Sequence, residues 1–168
     1  MLKKILVAAL VAIPMLLSAQ TIKIGIVDTQ TLMRDLPAFK DAQAKIDAVA
    51  KKYDEEYNTL RAEAAKKFEE FQTLSNDANT PQAVKERRAK EIDEFSQKLA
   101  EFEQMAQQDL QKQQQEIMAP VLNNVQQAIQ SIGKEGNYTI IQEMNALLYF
   151  GAPAEDITTQ VKTRLGIK

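Results

Sequence analysis

The chain has neither cysteine nor histidine among its 168 residues. Without cysteine there is no disulfide, no thiol nucleophile and no lipid attachment through an N-terminal cysteine. Without histidine, ordinary zinc sites and imidazole acid–base chemistry are also excluded. Beyond Ser18 the only serines are Ser75, Ser96 and Ser131, all in polar helical or turn contexts. No Asp/Asn/Gly loop has calcium-binding spacing. Carboxylates could still do acid–base work, but nothing beyond the presence of Asp and Glu points to it, and neither catalytic activity nor a cofactor is expected. The formal net charge of −2 argues against nucleic acid as a partner. After the first 17 residues, no apolar run approaches membrane-spanning length.

What is present begins with an address. Lys3 and Lys4 precede an apolar core from Ile5 to Leu17, and Ser18 and Ala19 supply small residues before Gln20. Residues 1–19 read as a secretory signal sequence. The apolar core is too short to favour an uncleaved membrane anchor. Export is the expectation.

The remainder reads as a body, an arm and a return to the body: residues 20–38, 39–119 and 120–168. TIKIGIVDT alternates Ile22, Ile24 and Ile26 with other side chains, a strand pattern ending at the cap residues Asp28 and Thr29. QTLMRDL follows as a short helix, and Pro37 punctuates it. From Phe39 an eleven-residue period appears, with Ile46, Tyr57 and Phe68 in one series, Val49, Leu60 and Phe71 in a second, and Tyr53, Ala64 and Ser75 in a third. That period gives a nearly straight stripe. The stripe is narrow and charged residues crowd its flanks, which suits one partner helix better than a broad core.

The partner follows a polar turn near 75–80. Thr80 and Pro81 read as N-cap and first helical residue. Val84, Ile92, Phe95, Leu99, Phe102, Ala106 and Leu110 then continue largely in steps of three and four. Together the two segments predict an antiparallel α-helical hairpin. Pro120 falls inside the second helix, where a kink or bend is expected, and the apolar face then broadens through Val121, Leu122, Val125, Ile129 and Ile132. GKEG ends the helix. NYTIIQE and NALLYFG read as two strands apolar on both faces, and PAEDITTQVKTRLG as a covering terminal helix.

The fold class is therefore α+β: a small β-rich body carrying a long coiled-coil hairpin. Such a body has open strand edges and little core, so copies joined through it are expected, in a number the sequence leaves open. The residues expected to carry that assembly are Ile22, Ile24, Ile26, Ile140, Leu148 and Phe150.

IGIVDTQTLM near the start and NYTIIQEMNALLYFGAPAEDITTQV at the end, with a hairpin of matching length between them, resemble the Skp (OmpH-like) family of periplasmic chaperones. That resemblance implies a jellyfish-like homotrimer whose arms enclose a cavity. It implies an ATP-independent holdase that binds unfolded outer-membrane proteins and delivers them for insertion, with transient contact at a membrane surface. The well-known members are basic, whereas this chain is slightly acidic. Its one strong basic cluster is Lys85, Arg87, Arg88 and Lys90 beyond the turn. With Leu74 and Val84, these form the candidate client-binding set; the alternative for the charges is a solvated helix face. A competing function is a coiled-coil spacer or adaptor of the cell envelope, which would bind one folded partner.

Overall fold

The computed structural model describes residues 22–167; the signal sequence read at 1–19 lies outside them. The elements are β1 (Ile24–Val27), α1 (Thr29–Asp35), α2 (Pro37–Asn76), α3 (Gln82–Glu135), β2 (Ile140–Glu143), a 3-10 turn (Met144–Ala146), β3 (Ala154–Asp156) and α4 (Thr158–Arg164).

The strands form one sheet in the order β2-β1-β3, with both pairings parallel. Ile24 lies opposite Ile140 and Ala154, and Ile26 opposite Gln142 and Asp156. The first strand of the fold is thus its central one, and both neighbours come from the far end of the chain.

One sheet face packs on helices. Val27 joins Leu32 and Leu36 around α1, Val121, Val125, Ala128 and Ile132 from the end of α3, and Ile157 and Val161 around α4. Gly25 lies on this face because it is crowded: a Cβ there would meet Ile141 Cγ1 at 3.0 Å and Tyr138 Cδ1 at 3.2 Å. The alternate residues, Ile24, Ile26 and Ile140, point to the opposite face, which among the described residues has no helix over it and is covered only in part, at Ile26, by the loop of residues 147–153. Among the described residues only a dozen apolar side chains are buried, a small core for a body that must hold two long helices.

Polar contacts position the short helices. The Asp28 side chain accepts from the Thr31 backbone N–H at 2.9 Å and so caps α1. Its own N–H donates to the buried Thr158 hydroxyl at 3.0 Å. Lys162 reaches from α4 to Asp35 on α1 at 2.6 Å.

The strand expected in NALLYFG does not form. Residues 144–146 turn, and Leu148 and Tyr149 stand in solvent, at 107% and 86% exposure. The third strand is Ala154–Asp156 instead, within the segment expected to be wholly helical. The Ile157 N–H donates to the Ile26 carbonyl at 2.9 Å, which extends the ladder past β3. The Asp156 carboxylate takes the Thr158 N–H at 2.9 Å just before α4 begins. The tip differs in a smaller way. Thr80 makes no side-chain cap; α3 starts at Gln82, and the Pro81 carbonyl accepts the Val84 and Lys85 N–H groups. The helix also runs without a break through Pro120 to Glu135.

Valine at position 25 should destabilise the body by about 1–3 kcal/mol through overpacking against Ile141 and Tyr138. Thermal unfolding followed by circular dichroism measures this. An unchanged melting temperature would show that Ile141 and Tyr138 yield freely beside β1.

Candidate functional site

The arm is a two-helix seam. Along α2, Ile46, Val49, Tyr53, Tyr57, Leu60 and Ala64 turn inward, buried or half-buried, as the eleven-residue period requires. At the distal end the register slips: Phe68 is 51% exposed, Ser75 is exposed, and Leu74 occupies the seam in its place. Along α3 the inward positions are Val84, Ile92, Phe95, Leu99, Phe102, Ala106 and Leu110. Pairing across the seam is fixed by two polar contacts. Lys85 Nζ donates to the Ser75 carbonyl at 2.8 Å near the tip, and the Tyr53 hydroxyl donates to Asp109 Oδ2 at 2.6 Å lower down.

Of the tip residues singled out from sequence, Leu74 and Val84 are half-buried in the seam. The cations have local partners. Arg88 meets Glu91 at 2.6 Å, Arg87 reaches the same Glu91 at 3.6 Å, and Lys90 meets Glu94 at 3.6 Å. Lys85 caps the last turn of α2 through the Ser75 carbonyl. Within the turn itself, the Asp77 carboxylate accepts the Asn79 N–H at 2.8 Å, which holds its pKa below the ordinary value.

The seam also carries gaps that the sequence reading did not locate. Tyr53 and Phe102 stand edge to face with ring centroids 6.2 Å apart. A cavity opens on each flank of this pair, of about 270 and 380 Å³. The first lies over two small residues, Ala50 and Ala106, with Asp54 and Glu103 at its edge. The Asp109 carboxylate also accepts from Gln113 Nε2 at 2.7 Å, and its two hydrogen bonds, first that from Tyr53, lower its pKa. The same bond raises the pKa of the Tyr53 phenol. The signal was available in principle: once the turn is set at 75–80, antiparallel pairing brings residues 50–57 opposite 102–110.

The body presents the second surface. On its uncovered face Ile24, Ile140, Leu147, Tyr149 and Phe150 surround a cavity of about 480 Å³. Ile22 is 58%, Ile140 42% and Phe150 43% exposed. Ile26 differs from the rest of the expected assembly set because it is fully buried within its own chain. The loop bearing Leu148 is anchored by Asn145, whose side-chain amide donates to Asp28 and to Glu143, each at 3.3 Å. Glu143 in turn accepts the Thr29 N–H. Exposed apolar residues gathered in this way mark an interaction surface.

Two carboxylates that tie the body together, Asp28 and Asp35, should be released by acid. The Thr31 backbone hydrogen bond holds Asp28 below its ordinary pKa of 3.8, and the Lys162 hydrogen bond does the same for Asp35. The folded body therefore binds fewer protons than the unfolded chain near that value. The stability they confer is complete above about pH 4 and is lost as pH falls through the lowered folded-state values. An acid titration followed by circular dichroism should show the chain losing stability below pH 4. Asp28→Asn should flatten that dependence, and a parent-like acid profile in the variant would contradict the anchoring role.

Among the described residues, no helix is long and apolar enough to cross a membrane, and no group of three or more acidic side chains is gathered as a metal ion would require. The profile of the outer membrane protein (OmpH-like) family matches residues 23–165. The chaperone protein Skp of Yersinia enterocolitica is 29% identical over 170 residues, covering 95% of this chain and 96% of its own. The Skp chaperone of Blochmanniella pennsylvanica is 35% identical over 72 residues, 43% of this chain and 41% of its own. A crystal structure from Caulobacter crescentus, of a protein described as an OmpH-like outer membrane chaperone, superposes with a TM-score of 0.72. It covers 84% of this chain and 82% of its own at 14% identity, a likeness of fold. Strand, hairpin, two returning strands and terminal helix all fall within the span of the family profile, and the chain belongs to the OmpH-like family.

Proposed function

We propose that this protein is an ATP-independent periplasmic holdase that shelters unfolded outer-membrane proteins between its arms and releases them for membrane insertion. The observation that carries the reading is the division of the chain into a clasped body with an exposed apolar face and a hairpin whose seam is only half-buried along most of its length. A holdase needs many shallow, separate contacts that together give avidity and individually let go. The Skp relatives are named as chaperones, which favours the same side.

Three copies joined through the uncovered sheet faces would bury Ile22, Ile24, Ile140, Leu148 and Phe150 and hang three arms around one space. The tip cations fit this reading as a point of first encounter. Their ion pairs with Glu91 and Glu94 are exposed, and exposed pairs are worth only about 0–1 kcal/mol. A client carboxylate can displace such a pair. Contact with the membrane surface would be brief and made at hand-over.

The direct test is suppression of aggregation. Several unrelated β-barrel proteins diluted from denaturant should stay soluble when this protein is present at near-stoichiometric ratio, without nucleotide. Precipitation at the rate of the untreated controls would refute the holdase reading and leave the adaptor.

The assembly has its own test. Leu148 is fully exposed in the single chain, so Leu148→Asp leaves the chain's own packing intact. Placed at an interface between copies, the same charge loses its water and should break the assembly. Light scattering should report a smaller mass for the variant, with helical signal retained. An unchanged mass would remove Leu148 from the interface.

A further inference from the structure

Two cavities along the arm carry charge of opposite sign at their edges. The distal one, about 320 Å³, lies beside Phe68, Ile92 and Phe95 with Arg61 and Lys67 at its rim. Its cationic side is partly answered from within, since Lys67 sits 3.4 Å from Glu63 and over the Phe95 ring. The proximal one is not. Among the described residues neither Asp54 nor Glu103 makes an ion pair, although both edge the cavity between Tyr57 and Phe102.

The proximal notch is also held in shape. Tyr53 cannot swing to fill it, because its hydroxyl is tied to Asp109 and its ring abuts Phe102. Ala50 and Ala106 leave the floor low where larger residues would close the seam. Ala50, Tyr53, Asp54 and Tyr57 lie three, four and seven positions along α2, so aromatic wall, floor and acidic rim share one helix face. The notch is a groove open to solvent, so a ring can enter it from the side. The 270 Å³ here takes one aromatic side chain with space for the backbone that carries it.

We propose that this notch is a docking site for a non-native polypeptide segment in which an aromatic side chain is flanked by lysine or arginine. The ring enters over Ala50 and Ala106, against Tyr53 and Phe102. The flanking cations lie along Asp54 and Glu103 and over the Tyr57 ring, where the aromatic face attracts positive charge. Charge complementarity selects this occupant over an acidic one. The inference rests on the holdase reading and gives it a chemical preference: the arm's mid-section takes basic-aromatic segments, and the tip meets acidic ones.

The probe is a fluorescein-labelled Gly-Ser-Lys-Phe-Lys-Ser-Gly peptide, compared with versions carrying Glu for Lys or Ala for Phe, titrated by anisotropy against the whole mature protein. The Lys-Phe-Lys peptide should bind about tenfold more tightly than either comparison peptide at low salt, with the charge preference shrinking as salt rises. In the Asp54→Asn/Glu103→Gln variant, which changes only exposed side chains, the Lys-over-Glu preference should vanish. Ala106→Leu should weaken the aromatic peptide by filling the floor. Equal affinity for the Lys and Glu peptides, no binding of any peptide, or a preference that survives the double substitution would each overturn the proposal. Aggregation suppression by the same preparation separates the two levels: intact suppression without the charge preference overturns the notch alone, and failed suppression overturns the reading beneath it.

Discussion

Everything in this fold depends on where β1 sits. Four residues at the start of the described chain pair on one side with residues 140–143 and on the other with 154–156. Parallel pairing admits no tight turn between partners, so the chain must travel away and return before the sheet can close. The arm is that journey. It is a crossover connection grown into a separate limb, and its two ends are fixed by one sheet. The helices reflect this in their lengths. α2 has 40 residues and α3 has 54; the excess of 14 residues is about 21 Å at 1.5 Å per residue. Val125, Ala128 and Ile132, buried in the body, lie within that surplus. The returning helix overshoots the origin of the outgoing one and becomes the roof of the sheet.

The same closure explains the body's two unlike faces. Val27 is used up against helices, and among the described residues no further helix or strand is left for the side bearing Ile24 and Ile140. Residues 147–153 lie along that side without pairing, and their apolar side chains point largely into solvent. Asp28 and Glu143 hold this loop through Asn145 while also capping and bridging the elements behind it. One polar network therefore sets both the inner packing and the presentation of the outer patch. A charged hairpin with an open seam and a body with an unfinished face suit the proposed function, in which the face joins copies and the arms hold clients.

Much of this was legible in the sequence because periodicity speaks directly to helices. The inward positions from Ile46 to Ala64 and from Ile92 to Leu110 follow from spacing alone, and so does the turn between them. The strands were harder. Leu147 to Phe150 look like a strand by composition, but a strand exists only where a partner's backbone is free. The free edge of β1 was taken by Ala154–Asp156, whose side chains give no strand signal at all. The slip of the seam at Phe68 and the cavities beside Tyr53 were hidden for another reason. They depend on which residues face one another, and a one-dimensional pattern does not carry that register until the tip is fixed. The partners of the tip cations, Glu91 and Glu94, were within three or four residues and were readable as helix pairs.

The central claim is that the sheet's outer face is covered by other copies while the arms stand free. Hydrogen exchange on the mature protein at micromolar concentration measures both halves at once. Backbone amides of residues 148–152, exposed in the single chain, should exchange slowly, in step with the amides of β1, while those of the tip at 77–80 exchange fast. If residues 148–152 exchange as fast as the tip, nothing covers that face, and the account of the body as an assembly surface is wrong.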